Sequence, residues 1–357
     1  MKNRFFLPVL FFVIVSTMLT VVLYMQQDTR EKPVYVASIS DVLTTGANDE
    51  GFSKADIKRE FVFPEDAGPH PGFRSEWWYY TGNLKSENGR LFGYQLTIFR
   101  QALSASAPIS ASTWRTNQIY MAHFAVTDIH SNRFYSYSRT VRGASELAGA
   151  QSNPYRVWLE DWTITGFFNS PTLRAREKDI SIHLNLKSLK DIVPQGDQGL
   201  SQKSAGKGNA SYYFSQTRLK TTGKIKIKNE TFQITGLSWL DREWSTSSLG
   251  KSDTGWDWFS LQLDDNRELM LYVIRQKNGK ISPFSSGTLV NPDGTIKHLT
   301  QQLYRVTPLE FWKSPETGIQ YPIRWSIEIP TIDLRLEVKP YIKNQEHKHN
   351  FVYWEGA

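Results

Sequence analysis

The sequence predicts an all-β body of antiparallel strands, and three observations carry that prediction. Past residue 61 the dominant hydrophobic period is two. Ile180, Ile182, Leu184 and Leu186 alternate with Ser181, His183, Asn185 and Lys187, as a half-buried strand requires. Ile332, Leu334, Leu336 and Val338 do the same against Asp333, Arg335 and Glu337. Short polar turns join such runs, Lys228-Asn229-Glu230 among them, so neighbouring strands run antiparallel. No amphipathic pattern of three helical turns follows residue 25. A long antiparallel sheet must then curl closed or pair face to face to cover its edges.

In chain order, the first segment reads as an address. Lys2 and Arg4 precede an uncharged run from Phe5 to Met25. At about 1.5 Å per residue it can cross the hydrocarbon layer as a helix, with its positive flank on the cytoplasmic side. Residues 1–25 are therefore read as a signal anchor, with a cleaved signal peptide as the alternative. The first reading expects an inner-membrane anchor with the body in the periplasm; the second expects secretion. Residues 26–59 are polar and read as a tether.

The body carries an internal echo. Trp78-Tyr79-Tyr80 leads to Leu84, a Ser86-Glu87-Asn88-Gly89 turn, an apolar strand and Phe99-Arg100-Gln101. Trp256-Asp257-Trp258 leads to Leu263, an Asp264-Asp265-Asn266 turn, an apolar strand and Ile274-Arg275-Gln276. Two hairpins, each with Trp at its start and Arg at its end, predict two related barrels over 60–237 and 238–357. The alternative is one large sandwich.

Composition narrows the chemistry. The 357 residues include no cysteine, which removes disulfides, thiol nucleophiles and thiolate metal sites. The net charge of +7 is spread along the chain, so no concentrated basic patch points to nucleic acid. There is no G-x-S-x-G elbow and no H-E-x-x-H. Gly250-Lys251-Ser252 lacks the first glycine of a phosphate loop, and neither cofactor nor metal is expected. The 12 Trp, 16 Tyr and 20 Phe call for large strand-rich cores or a cavity with flat apolar walls.

Two segments concentrate acids among aromatics. In the first, Phe63 to Tyr80, a Pro- and Gly-rich loop bearing His70 precedes a strand with Glu76, Trp78 and Tyr80 on one face and Trp77 and Tyr79 on the other. A carboxyl among indoles is poorly solvated and can become a proton donor, which makes Glu76 a candidate. The alternative is a buried latch between Glu76 and Arg74 or Arg100. The second segment holds Trp239, Asp241, Arg242, Glu243 and Trp244, followed by Trp256, Asp257 and Trp258. Its acids suit general acid–base work, and its indole faces can stabilise a carbocation. The alternative is a junction between halves in which Arg242 neutralises an acid. His123 lies opposite Tyr120, Ala122, Phe124 and Val126 on its strand, where it lines a cavity or sits satisfied in the interior. The expected catalytic group is thus Asp257, Asp241, Glu76, Glu243 and Arg242. Trp77, Trp78, Tyr80, His70, His123, Trp244, Trp256 and Trp258 are the expected ligand contacts.

The run from Phe63 to Leu84, with Gly93-Tyr94-Gln95-Leu96, Ala122-His123-Phe124, Tyr212-Tyr213-Phe214-Ser215, Leu240 to Ser245 and Gly255 to Trp258, resembles the AttH-like family. That family includes carotenoid 1,2-hydratases and proteins described as predicted secreted hydrolases. The resemblance implies two lipocalin-like β-barrels in tandem and an apolar, lipid- or isoprenoid-like ligand. Its hydratase branch protonates an isolated C=C bond and adds water, using an acid among aromatics in the second half. Asp241, Arg242, Trp244, Trp256, Asp257 and Trp258 fall in the matching region, and many relatives carry histidine where Arg242 stands. A hydrolase-like version would use the same acids to activate water, and the competing implication is a non-catalytic lipid carrier, or an accessory module of a transporter.

Overall fold

The computed structural model describes residues 49–357 except 108, 110, 111, 248, 251, 350 and 351. The expected anchor and the tether up to residue 48 lie outside the described residues. Among the described residues no helix is long and apolar enough to cross a membrane.

The first half comprises β1 (Ser75–Ser86), β2 (Leu91–Ala102), β3 (Gln118–Asp128), β4 (Arg133–Arg142), β5 (Ala148–Gln151), β6 (Tyr155–Leu159), β7 (Trp162–Phe167), β8 (Ser170–Glu177), β9 (Ile180–Ser188), β10 (Val193–Pro194), β11 (Leu200–Gln202), β12 (Ala210–Ile227) and β13 (Glu230–Ser245). They form one sheet in the order β4-β3-β2-β1-β13-β12-β9-β8-β7-β6-β5, with β10 and β11 added on β12. The sheet curls around a core that includes Trp78, Tyr80, Phe124, Trp162 and Trp244. Side chains tie its β4 end to the β6–β7 turn and to β8. Arg139 on β4 reaches Glu160 at 3.0 Å, Asp161 at 2.5 Å and Glu177 at 2.8 Å, and lies 4.5 Å over the Trp162 ring.

The second half comprises β14 (Asp253–Gln262), β15 (Glu268–Gln276), β16 (Ser286–Val290), β17 (Ile296–Thr300), β18 (Arg305–Lys313), β19 (Gln320–Ile329), β20 (Leu334–Val338), β21 (Glu346–Lys348) and β22 (Val352–Trp354). A four-stranded sheet, β14 to β17, and a three-stranded one, β18 to β20, enclose Phe259, Leu271, Trp325 and Ile327. Tyr213 and Trp239 of the first sheet pack with Met270, Tyr272 and Ile274 of β15, joining the halves.

The all-β expectation holds, and β9 alternates buried and exposed residues as its sequence requires. The 228–230 turn closes the β12–β13 hairpin with Lys228 at φ 56°. The echo corresponds to the opening hairpins β1–β2 and β14–β15. Three boundaries differ. The division expected at 237/238 falls inside β13, which pairs with β1 through Ser75↔Ser245. Gly236 there is not a turn: a Cβ would meet the Asn83 carbonyl oxygen at 2.3 Å, so glycine permits close strand approach. The end of the expected tether is packed onto the barrel, with Ala55 fully buried and Ser53 N–H donating to Gly72 O at 2.8 Å. The run expected from Ile332 enters β20 only at Leu334, because Pro330–Ile332 forms a 3-10 turn and Asp333 sits at φ 48°.

Candidate functional site: a cleft between the two halves

Alternation along β1 and β13 sends adjacent motif residues to opposite sides of one sheet. The side chains of Glu76, Trp78, Tyr80, Arg242 and Trp244 are held in the first barrel. Those of Trp77, Tyr79, Asp241 and Glu243 face the second half.

The inward set is a latch. Glu76 is fully buried. Its carboxylate accepts from Arg100, from Arg242 and from the His70 backbone N–H at 3.0 and 3.1 Å. Burial opposes this charge, but Arg242 and Arg100 outweigh it and hold the carboxyl well below the ordinary glutamate range. The Arg242 guanidinium also lies 4.0 Å over the Trp78 ring and donates to His70 Nδ1 at 3.0 Å. His70 Nδ1 also lies 3.3 Å from Glu76 Oε2 and its Nε2 lies 2.9 Å from Asp66 Oδ1, so the imidazole bridges the two acids. Stacking on Trp244 at 3.8 Å and 5° fixes that imidazole. Glu76 is therefore an ionised strut rather than a proton donor. Arg242, His70, Trp78, Tyr80 and Trp244 serve the barrel's closure, not the cleft.

The outward set is laid out by strand register. Met121, Phe99, Trp77, Glu243 and Tyr213 form one row across β3, β2, β1, β13 and β12. His123, Thr97, Tyr79, Asp241 and Ser215 form the next. Facing these rows are β14 and the segment around β22, leaving a cleft of about 750 Å³. That volume lies in the range of small-molecule sites. Trp258 meets the Tyr79 ring edge-on at 5.2 Å and donates from Nε1 to the Tyr213 hydroxyl at 3.3 Å. Trp256 packs on the same aromatic cluster.

Asp241 is buried on the cleft wall, accepting from Ser215 Oγ at 2.5 Å and Trp239 Nε1 at 2.7 Å. Among the described residues no cation stands within ion-pair distance of it. Burial prevails over the hydrogen bonds from Ser215, Trp239 and Tyr213 and pushes its carboxyl up to about 7. Glu243, one row away, accepts from Ser211 and pairs with Lys203 at 3.3 Å. Lys203 itself lies 4.0 Å over the Tyr272 ring. Asp257 stands at the rim on the edge strand β14, where burial raises its carboxyl against Arg275 at 3.6 Å.

The segment around β22 supplies the remaining wall. The Tyr79 hydroxyl donates to Glu355, and burial pushes the Glu355 carboxyl up to about 7. The Tyr353 hydroxyl contacts His123 Nδ1 at 2.8 Å and Gln95 Nε2 at 3.1 Å. His123 thus faces outward but stands behind Tyr353, and burial pulls it down to about 3, so it is neutral.

Of the residues expected from the sequence, the structure brings Trp77, Asp241, Glu243, Trp256, Asp257 and Trp258 together in the cleft, and Glu76, held by its arginines, also borders it. Tyr79, Tyr213, Lys203, Tyr353 and Glu355 were missed. Tyr79 and Tyr213 lie within the aromatic motifs, so their strand parity was available. Lys203 sits in a polar stretch without pattern, whereas Glu355 directly follows Val352-Tyr353-Trp354, so an acid beside aromatics was there to be read.

A family model described as AttH-like matches residues 54–357. An AttH protein from Nitrosomonas europaea superposes with a TM-score of 0.77 at 31% identity, covering 85% of this chain and 93% of that one. Kievitone hydratase from Nectria haematococca superposes at 0.60 with 14% identity over 83% of this chain and 87% of its own, a likeness of fold. Dehydratase asqC of Emericella nidulans is 25% identical over 188 residues, which span 50% of this chain and 51% of that protein. The match to this curated relative thus spans about half its length. Family match, motif content and the lipocalin-like two-barrel fold agree: the chain belongs to the AttH-like family.

Proposed function

We propose that this protein is a hydratase-type enzyme, adding water to a carbon–carbon double bond of an apolar small molecule in the cleft, or removing it. The observation that carries the reading is Asp241. It is a carboxyl with no cation within ion-pair distance among the described residues, raised to about 7, on the wall of a cleft rich in tyrosine and tryptophan. Near neutral pH such a group is protonated often enough to act and acidic enough to release its proton. Its O–H bond breaks as a C–H bond forms, and the alkene's electron pair goes to that new bond. The cation left on the neighbouring carbon faces the rings of Trp77, Tyr79 and Trp258. Water then adds its oxygen and gives up one proton. Related proteins named as a hydratase and a dehydratase support the two directions of this reaction. The basic flank and apolar run of residues 1–25 support an exported, membrane-tethered body.

The test begins with an organic extract of the purified full chain, in which mass spectrometry identifies any retained molecule. That molecule is returned to the protein in H₂¹⁸O. Wild type is expected to incorporate the label, and Asp241→Asn to retain the molecule while losing at least about 100-fold in rate. Retention without incorporation by wild type leaves a carrier and ends the enzyme reading.

A further inference from the structure

The mechanism above leaves one proton unplaced, the one that attacking water must lose. We propose that Glu355 is the second acid–base group of the cleft, taking that proton while Asp241 gives one to the alkene. This rests on the hydratase-type reading and extends it.

The geometry comes from three elements distant in sequence. Tyr79 on β1 is the register partner of Asp241 on β13, and both side chains line the cleft. Directly opposed residues in such a ladder have Cβ atoms about 5 Å apart. The hydroxyl at the far end of Tyr79 donates to Glu355 Oε1. Asp241 and Glu355 thus both border Tyr79, the first at its place in the strand ladder and the second at its hydroxyl. Glu355 is held over the cleft by its own backbone, whose N–H donates to Gln345 O at 3.0 Å. Among the described residues no Lys, Arg or His forms an ion pair with Glu355. The contrast with Glu76 is informative: an acid built for structure here is clamped by two arginines, whereas Glu355 is touched by a phenol.

Proton balance follows. Hydration starts with Asp241 as carboxylic acid and Glu355 as carboxylate. It ends with Asp241 ionised, Glu355 protonated, one new C–H bond and one new C–O bond. The cycle closes when Glu355 releases its proton to water in the cleft and Asp241 takes one up from water. Dehydration runs the same path backwards. A buried carboxyl near neutrality can hold either state, as this exchange requires.

The test uses the full chain and two readouts. In the first, infrared difference spectra of the carboxyl band are recorded across pH for wild type, Glu355→Gln, Asp241→Asn and Tyr79→Phe. Two coupled titrations around neutral pH are expected in wild type. Glu355→Gln should remove one and lower the midpoint of the other by at least about half a unit. In the second, deuterium uptake from D₂O into farnesol, an apolar alcohol with isolated double bonds, is followed by mass spectrometry. Glu355→Gln should slow uptake by about 100-fold or more with farnesol binding and melting temperature preserved. Glu355→Asp should restore part of the rate with a displaced pH profile. Titration of Glu355 in the ordinary carboxylate range, an Asp241 midpoint indifferent to residue 355, or wild-type exchange rates in Glu355→Gln would each overturn the assignment. Absence of exchange in wild type counts against the hydratase reading with farnesol, while the spectra still decide the carboxyl pair.

Discussion

Replacing Glu76 by glutamine separates a structural acid from a catalytic one. The side chain is isosteric but neutral, so Arg100 and Arg242, both buried inside the first barrel, lose their shared counter-charge. Breaking a buried pair from one side costs about 3–5 kcal/mol, because an uncompensated charge stays behind. Glutamine keeps one acceptor oxygen, which argues for about 4 kcal/mol. For a unit of this size each kcal/mol is worth about 2–4 °C, so melting should fall by about 8–16 °C. The pH dependence has a definite sign. The folded carboxyl lies below its ordinary 4.5, so its stabilisation is complete above that value and is lost as pH falls towards the folded one. The gap between wild type and Glu76→Gln should be constant from pH 6 to 8 and narrow below 4.5. Thermal unfolding followed by tryptophan fluorescence at several pH values measures it. A melting temperature within about 2 °C of wild type, combined with collapsed turnover, would refute the latch and return Glu76 to the list of proton donors.

Asp241 has the opposite linkage. Its folded value of about 7 exceeds the ordinary 3.8, so wild type should lose stability as pH rises between the two, by up to about 1.4 kcal/mol per unit. Asp241→Asn removes that slope, and urea unfolding at pH 4, 6 and 8 should show the variant gaining on wild type with rising pH. Arg139→Ala should loosen the seam of the first barrel by about 1–2 kcal/mol, since one partly exposed guanidinium serves three carboxylates and the Trp162 face. Salt should shrink that difference, and chemical unfolding at low and high ionic strength checks it. Gly93→Val should displace the segment carrying Glu355, because a Cβ at residue 93 would meet the Ala357 Cβ at 2.3 Å. Increased fluorescence of an apolar dye, with first-barrel melting nearly unchanged, is the expected result.

Much of the fold was legible because its signals are local. The alternation in β9, the turn at Lys228 and the paired opening hairpins each depend on residues within about a dozen positions, and each appears in the structure. The candidate site was legible by half. Period two puts Trp77 and Tyr79 opposite Glu76, Trp78 and Tyr80, but both faces are aromatic. Nothing in the run says which face fills a barrel and which meets the other half. The same ambiguity made Arg242 and Asp241 look like neighbours in one site, although adjacent strand residues point apart.

The sequence by itself determined the strand content, the family and the presence of acids among aromatics, since these follow from spacing and motifs along the chain. Only the tertiary structure decided that Glu76 is clamped by two arginines, that Asp241 is buried on the cleft wall with its oxygen accepting from Ser215 and Trp239, and that the Tyr79 hydroxyl reaches Glu355. The physical reason is that a carboxyl's charge state depends on which distant groups surround it. Arginines brought inside the barrel keep one acid ionised. Burial in a cleft with no cation within ion-pair distance raises another towards neutrality.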